Sequence, residues 1–305
     1  MLSSISVSNI FNLYSYSLDL KAQESRICFI TGPNGYGKTS ILNIVNDVYS
    51  GDWENLCKIP FDSVSLAFSD GARLKIVQSR KIAQEDESDE NDTENVALKV
   101  DFQLTPDDLY SFEWISCPDS DISPDNNIKL FFDSHPVYYI RDGRLYSAGH
   151  IPTIYRCVEN MRSFLKDSSL AETQDFQKKV EIFKKIISTS DFADKFLQID
   201  SRYGFRFVLD NDDKTILSPG KLSSGEQHLT VMAFELLFMA PDDSLVLIDE
   251  PEISFHMMWQ VDFLKNLQLI LSVRKLQCIV ATHSPQIFNM KWGLSVDLFT
   301  QAGIK

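Results

Sequence analysis

One octapeptide constrains this chain more than any other feature. Gly32-Pro33-Asn34-Gly35-Tyr36-Gly37-Lys38-Thr39 fits the pattern GxxxxGK[ST]. Arg26–Ile30, just before it, is a short apolar run, as expected of a strand buried on both faces. After it, Ile41, Leu42, Ile44, Val45 and Val48 recur at helical spacing. In a strand, glycine loop and helix in that order, the glycines let backbone N–H groups turn inward around phosphate oxygens. The helix N-terminus adds partial positive charge. Lys38 is then placed to reach the β- and γ-phosphates of a nucleotide, and the Thr39 hydroxyl to ligate Mg2+. The bland alternative, a glycine turn with an exposed lysine, leaves the flanking strand and helix unexplained.

The rest of the chain supplies a frame for that loop. Alternation over Ser3–Ile10 and Tyr14–Leu20 predicts two more N-terminal strands. Residues 61–104 read as an antiparallel meander, turning at Ser69-Asp70-Gly71 and interrupted by Glu85–Asn95. Residues 105–134 are polar and turn-rich, and 136–140 (PVYYI) is a short strand. Residues 154–198 carry a helical pattern through Val158, Met161, Leu165, Phe176, Val180, Phe183, Ile186 and Ile187. At about 1.5 Å per residue this predicts an arm of a few tens of ångströms, not a long coiled coil. A hairpin over 202–217 turns at Asn211-Asp212-Asp213, and a helix follows from about Gly225 to Met239. Buried strands at Ser244–Ile248 and Leu276–Ala281 flank a helix at about 257–272, with a last strand at Ser295–Phe299. This alternation predicts an α/β fold with a parallel core sheet, an N-terminal antiparallel β layer and a short helical insertion. The expected organisation is one composite domain over 1–305. Its N-terminal lobe is 1–150, its helical insertion 151–200 and its C-terminal lobe 201–305.

Charge narrows the partners. Against 29 basic residues stand 43 acidic ones, for a net charge of −14. Seven of the acidic residues, half the imbalance, sit in Glu85–Asn95 with no basic residue among them. Whole-chain attraction to nucleic acid or to an anionic membrane is therefore disfavoured, although a local basic patch for DNA or RNA stays open. The acidic run is either a solvated loop or an electrostatic gate that mimics or repels nucleic acid. Lys178, Lys179, Lys184 and Lys185 form either a solvated helix face or a contact for a partner or DNA. The five cysteines are far apart, with no CxxC pair, which fits reduced thiols in a cytoplasmic protein better than disulfides or structural zinc. The N-terminus lacks a secretory pattern, and no apolar run approaches the ~18 residues of a membrane span.

Three further segments carry chemistry. The run SLVLIDEPE delivers Asp249 and Glu250 to the C-terminal end of a buried strand, where open α/β sheets bind ligands. One carboxylate there can hold Mg2+ and the other can orient or deprotonate a water; alone, the same pattern is also a solvated acidic turn. His283, in Ala281-Thr282-His283-Ser284-Pro285, ends the next buried strand. A neutral imidazole there can hydrogen-bond a γ-phosphate or an attacking water, although a lone histidine is more often structural. In Leu222-Ser223-Ser224-Gly225-Glu226-Gln227, Ser223 and Glu226 fit a capping box. The helix N-terminus they open also suits an anion.

GPNGYGKT, LSSGEQ, LIDEPE and ATHSP, in this order, resemble the ABC-type ATPases of the SMC/RecF kind. There they are called Walker A, signature, Walker B and the switch histidine. The finer segments DEPEISFHMMWQ and ATHSPQIF resemble the stand-alone AAA-family ATPases of bacterial anti-phage defence, such as the Septu, retron-associated and PARIS ATPases. The motifs run from residue 32 to residue 285. The resemblance implies that Asn34, Gly35, Gly37, Lys38, Thr39 and Ser40 hold the phosphates of ATP. It further implies that Thr39 and Asp249 place Mg2+, that Glu250 is the general base, and that His283 senses the γ-phosphate. Ser223 and Gly225 would contact ATP bound to a second protomer, sandwiching two ATPs head-to-tail in a dimer or higher homo-oligomer. The Glu252–His256 stretch would match the D-loop that crosses this interface.

One departure stands out. The glutamine loop of such ATPases maps to Tyr139–Leu145, which holds no glutamine, while Gln78 and Gln84 lie too early. Either Arg141, Asp142 or Arg144 substitutes, or hydrolysis is slow. The implied function is an ATP-binding and ATP-hydrolysing regulatory subunit that dimerises on ATP. It would control a separate effector, a nuclease or toxin encoded nearby, in anti-phage defence, with no membrane role. The alternative is a RecF-type DNA-repair or chromosome-maintenance ATPase that binds DNA directly. A transporter nucleotide-binding subunit fits less well, since 185 residues separate Lys38 from Ser223.

Overall fold

The computed structural model describes residues 1–20, 26–81, 95–105, 107–116, 126–141, 153–190, 192, 194–210 and 213–302. The chain opens with an antiparallel hairpin, β1 (Leu2–Ile10) and β2 (Tyr14–Asp19). β3 (Ile27–Thr31) follows, with all five residues buried, and then the glycine loop and α1 (Lys38–Ser50). A short α2 (Trp53–Lys58) leads to β4 (Ser63–Phe68), β5 (Arg73–Lys81), β6 (Asn95–Gln103) and β7 (Leu109–Ile115). Next come α3 (Asn126–Asp133), β8 (Val137–Ile140), α4 (Thr153–Lys166), α5 (Ser168–Ala171) and α6 (Gln174–Thr189). β9 (Lys195–Asp200), β10 (Gly204–Leu209) and β11 (Ile216–Leu217) precede α7 (Ser224–Phe234), which runs into a π-helical turn at Glu235–Met239. The last elements are β12 (Leu245–Asp249), α8 (Met257–Leu271), β13 (Gln277–Ala281), β14 (Ser295–Asp297) and α9 (Leu298–Gln301).

The strands form a six-stranded antiparallel sheet, β2-β1-β4-β5-β6-β7, a five-stranded parallel sheet, β14-β3-β13-β12-β8, and a three-stranded sheet, β11-β10-β9. Side chains alternate across the parallel strands, so each strand feeds two cores. Cys28, Ile30, Leu245, Leu247, Ile279 and Ala281 face α1 and the antiparallel sheet, in one cluster with Ile41, Val45, Leu66 and Val100. Ile27, Phe29, Val246, Ile248, Cys278 and Val280 face the other way, in a second cluster with helices α4, α6, α7 and α8. Each fully buried side chain of this kind contributes about 1.5–3 kcal/mol, which fixes the register of the central strands. That register sets Asp249 level with Ala281, and Ala281 level with Ile30. The C-terminal ends of β12, β13 and β3 therefore open side by side.

Several expectations are corrected here. Residues 154–198 are not an arm. Phe176, Val180, Phe183, Ile186 and Ile187 of α6 are all buried, and Phe183 packs on Phe205, Phe234 and Phe238. The insertion therefore lies against the second core, and its last residues form β9. The polar stretch 105–134 contains β7 and α3, where Ile128, Phe131 and Phe132 close one side of the first core. The last expected strand is cut to Ser295–Asp297, because Asp297 caps α9 through Phe299 N. Lys179 pairs with Asp175, while Lys178, Lys184 and Lys185 are exposed. Residues 85–94 of the acidic run, Gln84, Asn211, Asp212, Asp142, Arg144 and Cys117 lie outside the described residues. Cys28, Cys57, Cys157 and Cys278 are buried free thiols, and burial pushes Cys57 up to about 11 and Cys157 up to about 12. Among the described residues no helix is long and apolar enough to cross a membrane.

Gly204 shows how tightly the insertion is seated. Its φ is +74°, and a Cβ there would stand 2.2 Å from the Val158 carbonyl oxygen of α4. A left-handed conformation costs a non-glycine residue about 1–2 kcal/mol, and overpacking adds about 1–3 kcal/mol. Gly204→Ala is expected to lower stability by about 3 kcal/mol, read by urea denaturation.

Candidate functional site

The glycine loop leaves β3 at Thr31 and enters α1 at Lys38. Gly37 occupies the N-cap with φ +84°, a conformation that a Cβ would strain. The loop is braced from behind by aromatic rings. Tyr36 stacks on Tyr14 at 5.3 Å, and Tyr14 on Tyr16 at 5.9 Å. The Tyr16 hydroxyl donates to the Tyr36 carbonyl at 2.8 Å. Burial, with Tyr14 and Tyr36 adding, pushes the Tyr16 phenol up to about 12, so it remains a proton donor at neutral pH.

Lys38 is buried, and its Nζ donates to Gly32 O at 3.0 Å and Pro33 O at 3.3 Å. It also stands 3.8 Å from Glu250 Oε1. Thr39 Oγ1 donates to Asp249 Oδ1 at 3.0 Å, joining the first turn of α1 to the end of β12. Glu250, one residue on, is left-handed at φ +41° and ψ +58°, and its backbone N–H is held by Ala281 O at 2.9 Å. A non-glycine residue held there stores about 1–2 kcal/mol of strain. The effect is that Asp249 turns to α1 while Glu250 faces the loop lysine.

These groups line one cavity of about 580 Å³, with Asn34, Gly35, Gly37 and Ser40 from the loop. Hydroxyl and carboxylate oxygens beside an ammonium and a helix N-terminus suit a phosphate chain carrying a hard cation such as Mg2+. Phe11 and Ile253 line the cavity too, and sequence reasoning missed both. The signal for Phe11 was an aromatic residue in a tight strand connection, where Asn9, Phe11 and Asn12 all have positive φ.

His283 stands beside the cavity rather than on its wall. Its Nδ1 is 3.6 Å from Glu250 Oε1 and 3.1 Å from Glu252 Oε1. In the Glu252–His256 stretch, Glu252 is buried, and its Oε1 accepts from Thr282 Oγ1 at 2.6 Å and from His283 N at 2.8 Å. Ser223 is the N-cap of α7 in a full capping box: its Oγ accepts from Glu226 N at 3.3 Å, and its N–H donates to Glu226 Oε2 at 2.8 Å. Lys195 holds the other oxygen of Glu226 at 2.8 Å. Ser223 is exposed and Gly225 buried, and neither lines the cavity around Lys38. Gln78 is structural, its amide bridging Phe61 N and Ile59 O.

Comparison with known proteins gives concordant findings. The family model described as "AAA domain, putative AbiEii toxin, Type IV TA system" matches residues 27–289. Protein ea59 of Escherichia phage lambda is 33% identical over 93 residues, which are 30% of this chain and 17% of that protein. This chain thus matches less than a fifth of that relative's length. Among solved structures, an SMC head bound to the C-terminal winged-helix domain of ScpA superposes with a TM-score of 0.51. The two are 14% identical, over 94% of this chain and 90% of that one. At that identity the likeness concerns the fold, a P-loop ATPase head with parallel and antiparallel sheets.

Proposed function

The chain belongs to this AAA-domain family, and on that premise we propose that it binds ATP with Mg2+, hydrolyses it slowly within a head-to-tail homodimer, and thereby switches a separate effector protein. The observation that carries the reading is a split. Lys38, the Thr39–Asp249 pair and Glu250 meet in one cavity with His283 beside it, whereas Ser223 and Gly225 line none of it.

In this reading the Lys38 ammonium exchanges the carbonyls of Gly32 and Pro33 for β- and γ-phosphate oxygens. Asn34, Gly35, Gly37 and Ser40 surround the phosphates. Thr39 and Asp249 hold Mg2+, which when bound neutralises phosphate charge. Glu250 orients the attacking water and takes its proton. His283 meets the γ-phosphate from the side of Glu250. The missing element is an electrophile over the far face of the γ-phosphate, and the exposed Ser223 and the N-terminus of α7 from a second copy supply it. Exposed apolar side chains support that closure: Ile253, which lines the cavity, is 53% exposed, and Met257 and Met258, at the start of α8, are 66% and 58% exposed. Without a glutamine at Tyr139–Leu145, turnover is slow. The family description names a type IV toxin–antitoxin system, which supports an effector within a defence or growth-arrest module.

A mixing experiment tests the split. Lys38→Ala and Ser223→Arg are each expected to be inactive alone. Mixed, they form dimers in which one complete site joins the Lys38 of one copy to the Ser223 of the other, and ATP hydrolysis returns. A mixture as inactive as its components, with both variants folded, contradicts the sandwich. Capture with the tagged Glu250→Gln protein and ATP from the native host then tests the effector. A stoichiometric protein supports the regulatory role, and DNA alone favours the RecF-type alternative.

A further inference from the structure

We propose that Lys195 is a positioning residue for the Ser223 end of α7: it cancels the charge of Glu226 there, so that the γ-phosphate held by a second copy can approach. The inference rests on the head-to-tail reading above and concerns the half of the site that the second copy supplies. The capping box at Ser223 contains a conflict. Its glutamate satisfies the Ser223 N–H through Oε2 at 2.8 Å, which a glutamine would do as well. The negative charge favours the helix end itself, but it repels any anion that comes to bind there. Glu226 is only 5% exposed, so water and salt screen little of that charge. An anion received at Ser223 therefore meets a buried carboxylate one hydrogen bond away, unless a cation neutralises it.

Lys195 is that cation. Its Nζ donates to Glu226 Oε1 at 2.8 Å, while Oε2 serves the capping box. The ammonium is held in place from its own side. Nζ also donates to Phe192 O at 3.2 Å, and the Lys195 backbone N–H returns to the same carbonyl at 3.2 Å. Phe192 is buried, stacked on Phe207 at 5.7 Å and on Trp259 at 5.6 Å. Phe192 follows the end of α6 and Lys195 opens β9, so the helical insertion delivers a charge to α7. With Glu226 neutralised, Ser223 keeps what a phosphate oxygen needs. Its Oγ accepts from Glu226 N at 3.3 Å, which leaves the hydroxyl proton to donate outward beside the positive end of the helix. Neither Lys195 nor Glu226 lines the cavity around Lys38. The effect therefore belongs to closure of the dimer and not to the first capture of ATP.

Light scattering over a dilution series, on the Glu250→Gln protein with saturating ATP–Mg2+, reads the dissociation constant of the dimer. Adding Lys195→Met is expected to raise that constant at least about tenfold. Lys195→Gln keeps a donor for Glu226 without the charge and is expected to fail in the same way, which also guards against misfolding of the Met variant. Glu226→Gln added to Lys195→Met removes the stranded carboxylate and keeps the capping acceptor. That combination is expected to return to within about threefold of the Glu250→Gln protein. A lysine that merely ties β9 to α7 would leave the combination as weak as Lys195→Met. Thermal melts check the fold of each variant. Lys195→Met and Lys195→Gln proteins that dimerise as tightly as the Glu250→Gln protein overturn the proposal, and so does a combination that recovers nothing. A Glu250→Gln protein that binds ATP and stays single-chain overturns the head-to-tail reading itself, and the role of Lys195 with it.

Discussion

Lys38→Ala is expected to weaken ATP binding at least about a hundredfold, abolishing it at micromolar nucleotide. The size follows from what Lys38 does in the fold. Its ammonium is the cation that faces the glycine-loop cavity from within, buried and satisfied by Gly32 O and Pro33 O. Hydrogen bonds to a charged group are worth about 1.5–3 kcal/mol each, and two to phosphate oxygens together exceed a hundredfold in Kd. Alanine also leaves two carboxylates, Asp249 and Glu250, as the charged side chains lining the cavity that an incoming polyanion meets. Titration calorimetry with ATP–Mg2+ checks this, with a thermal melt of the variant as the folding control. Affinity within about threefold of wild type would place the phosphates elsewhere.

Glu250→Gln is expected to lower turnover by about 10²- to 10⁴-fold, the usual weight of a general base, while leaving ATP binding intact. Glutamine keeps the shape of the side chain but cannot take a proton from water. It also removes a negative charge 3.8 Å from Lys38 Nζ, so the Lys38 ammonium is freer to turn to phosphate. Phosphate release under single-turnover conditions measures the chemical step. A variant that turns over within about threefold of wild type would mean that Glu250 is not the base.

The sequence made the parallel core legible because its strands are buried on both faces. β3 and β12 are buried at all five positions, and such runs read as strands wherever they sit. Lys38 and Thr39 were legible for a related reason: backbone wrapped around phosphate tolerates few residue types. β7 escaped because it is an edge strand whose residues alternate between exposed and half-buried, so no apolar run marks it. α3 is eight residues long, too short for periodicity to speak. The helices of the insertion were readable, but their docking was not, because Phe183 meets Phe205 and Phe234 only in the folded chain.

The site divides in the same way. Asp249 and Glu250 were visible as a pair, yet only the register of β12 against β13 and the left-handed turn at Glu250 decide which one meets Thr39. Glu252 and Phe11 stayed hidden because each acts across a long stretch of chain, Glu252 on residues 282–284 and Phe11 on the glycine loop. No local pattern records a contact of that kind.

The central claim is that two copies close around ATP, and the mass of the Glu250→Gln protein in solution tests it most directly. Multi-angle light scattering at micromolar protein is predicted to give a two-chain mass with ATP–Mg2+, and a one-chain mass without nucleotide or when Ser223→Arg is added. A Glu250→Gln protein that is saturated with ATP and still runs at the mass of a single chain contradicts the account.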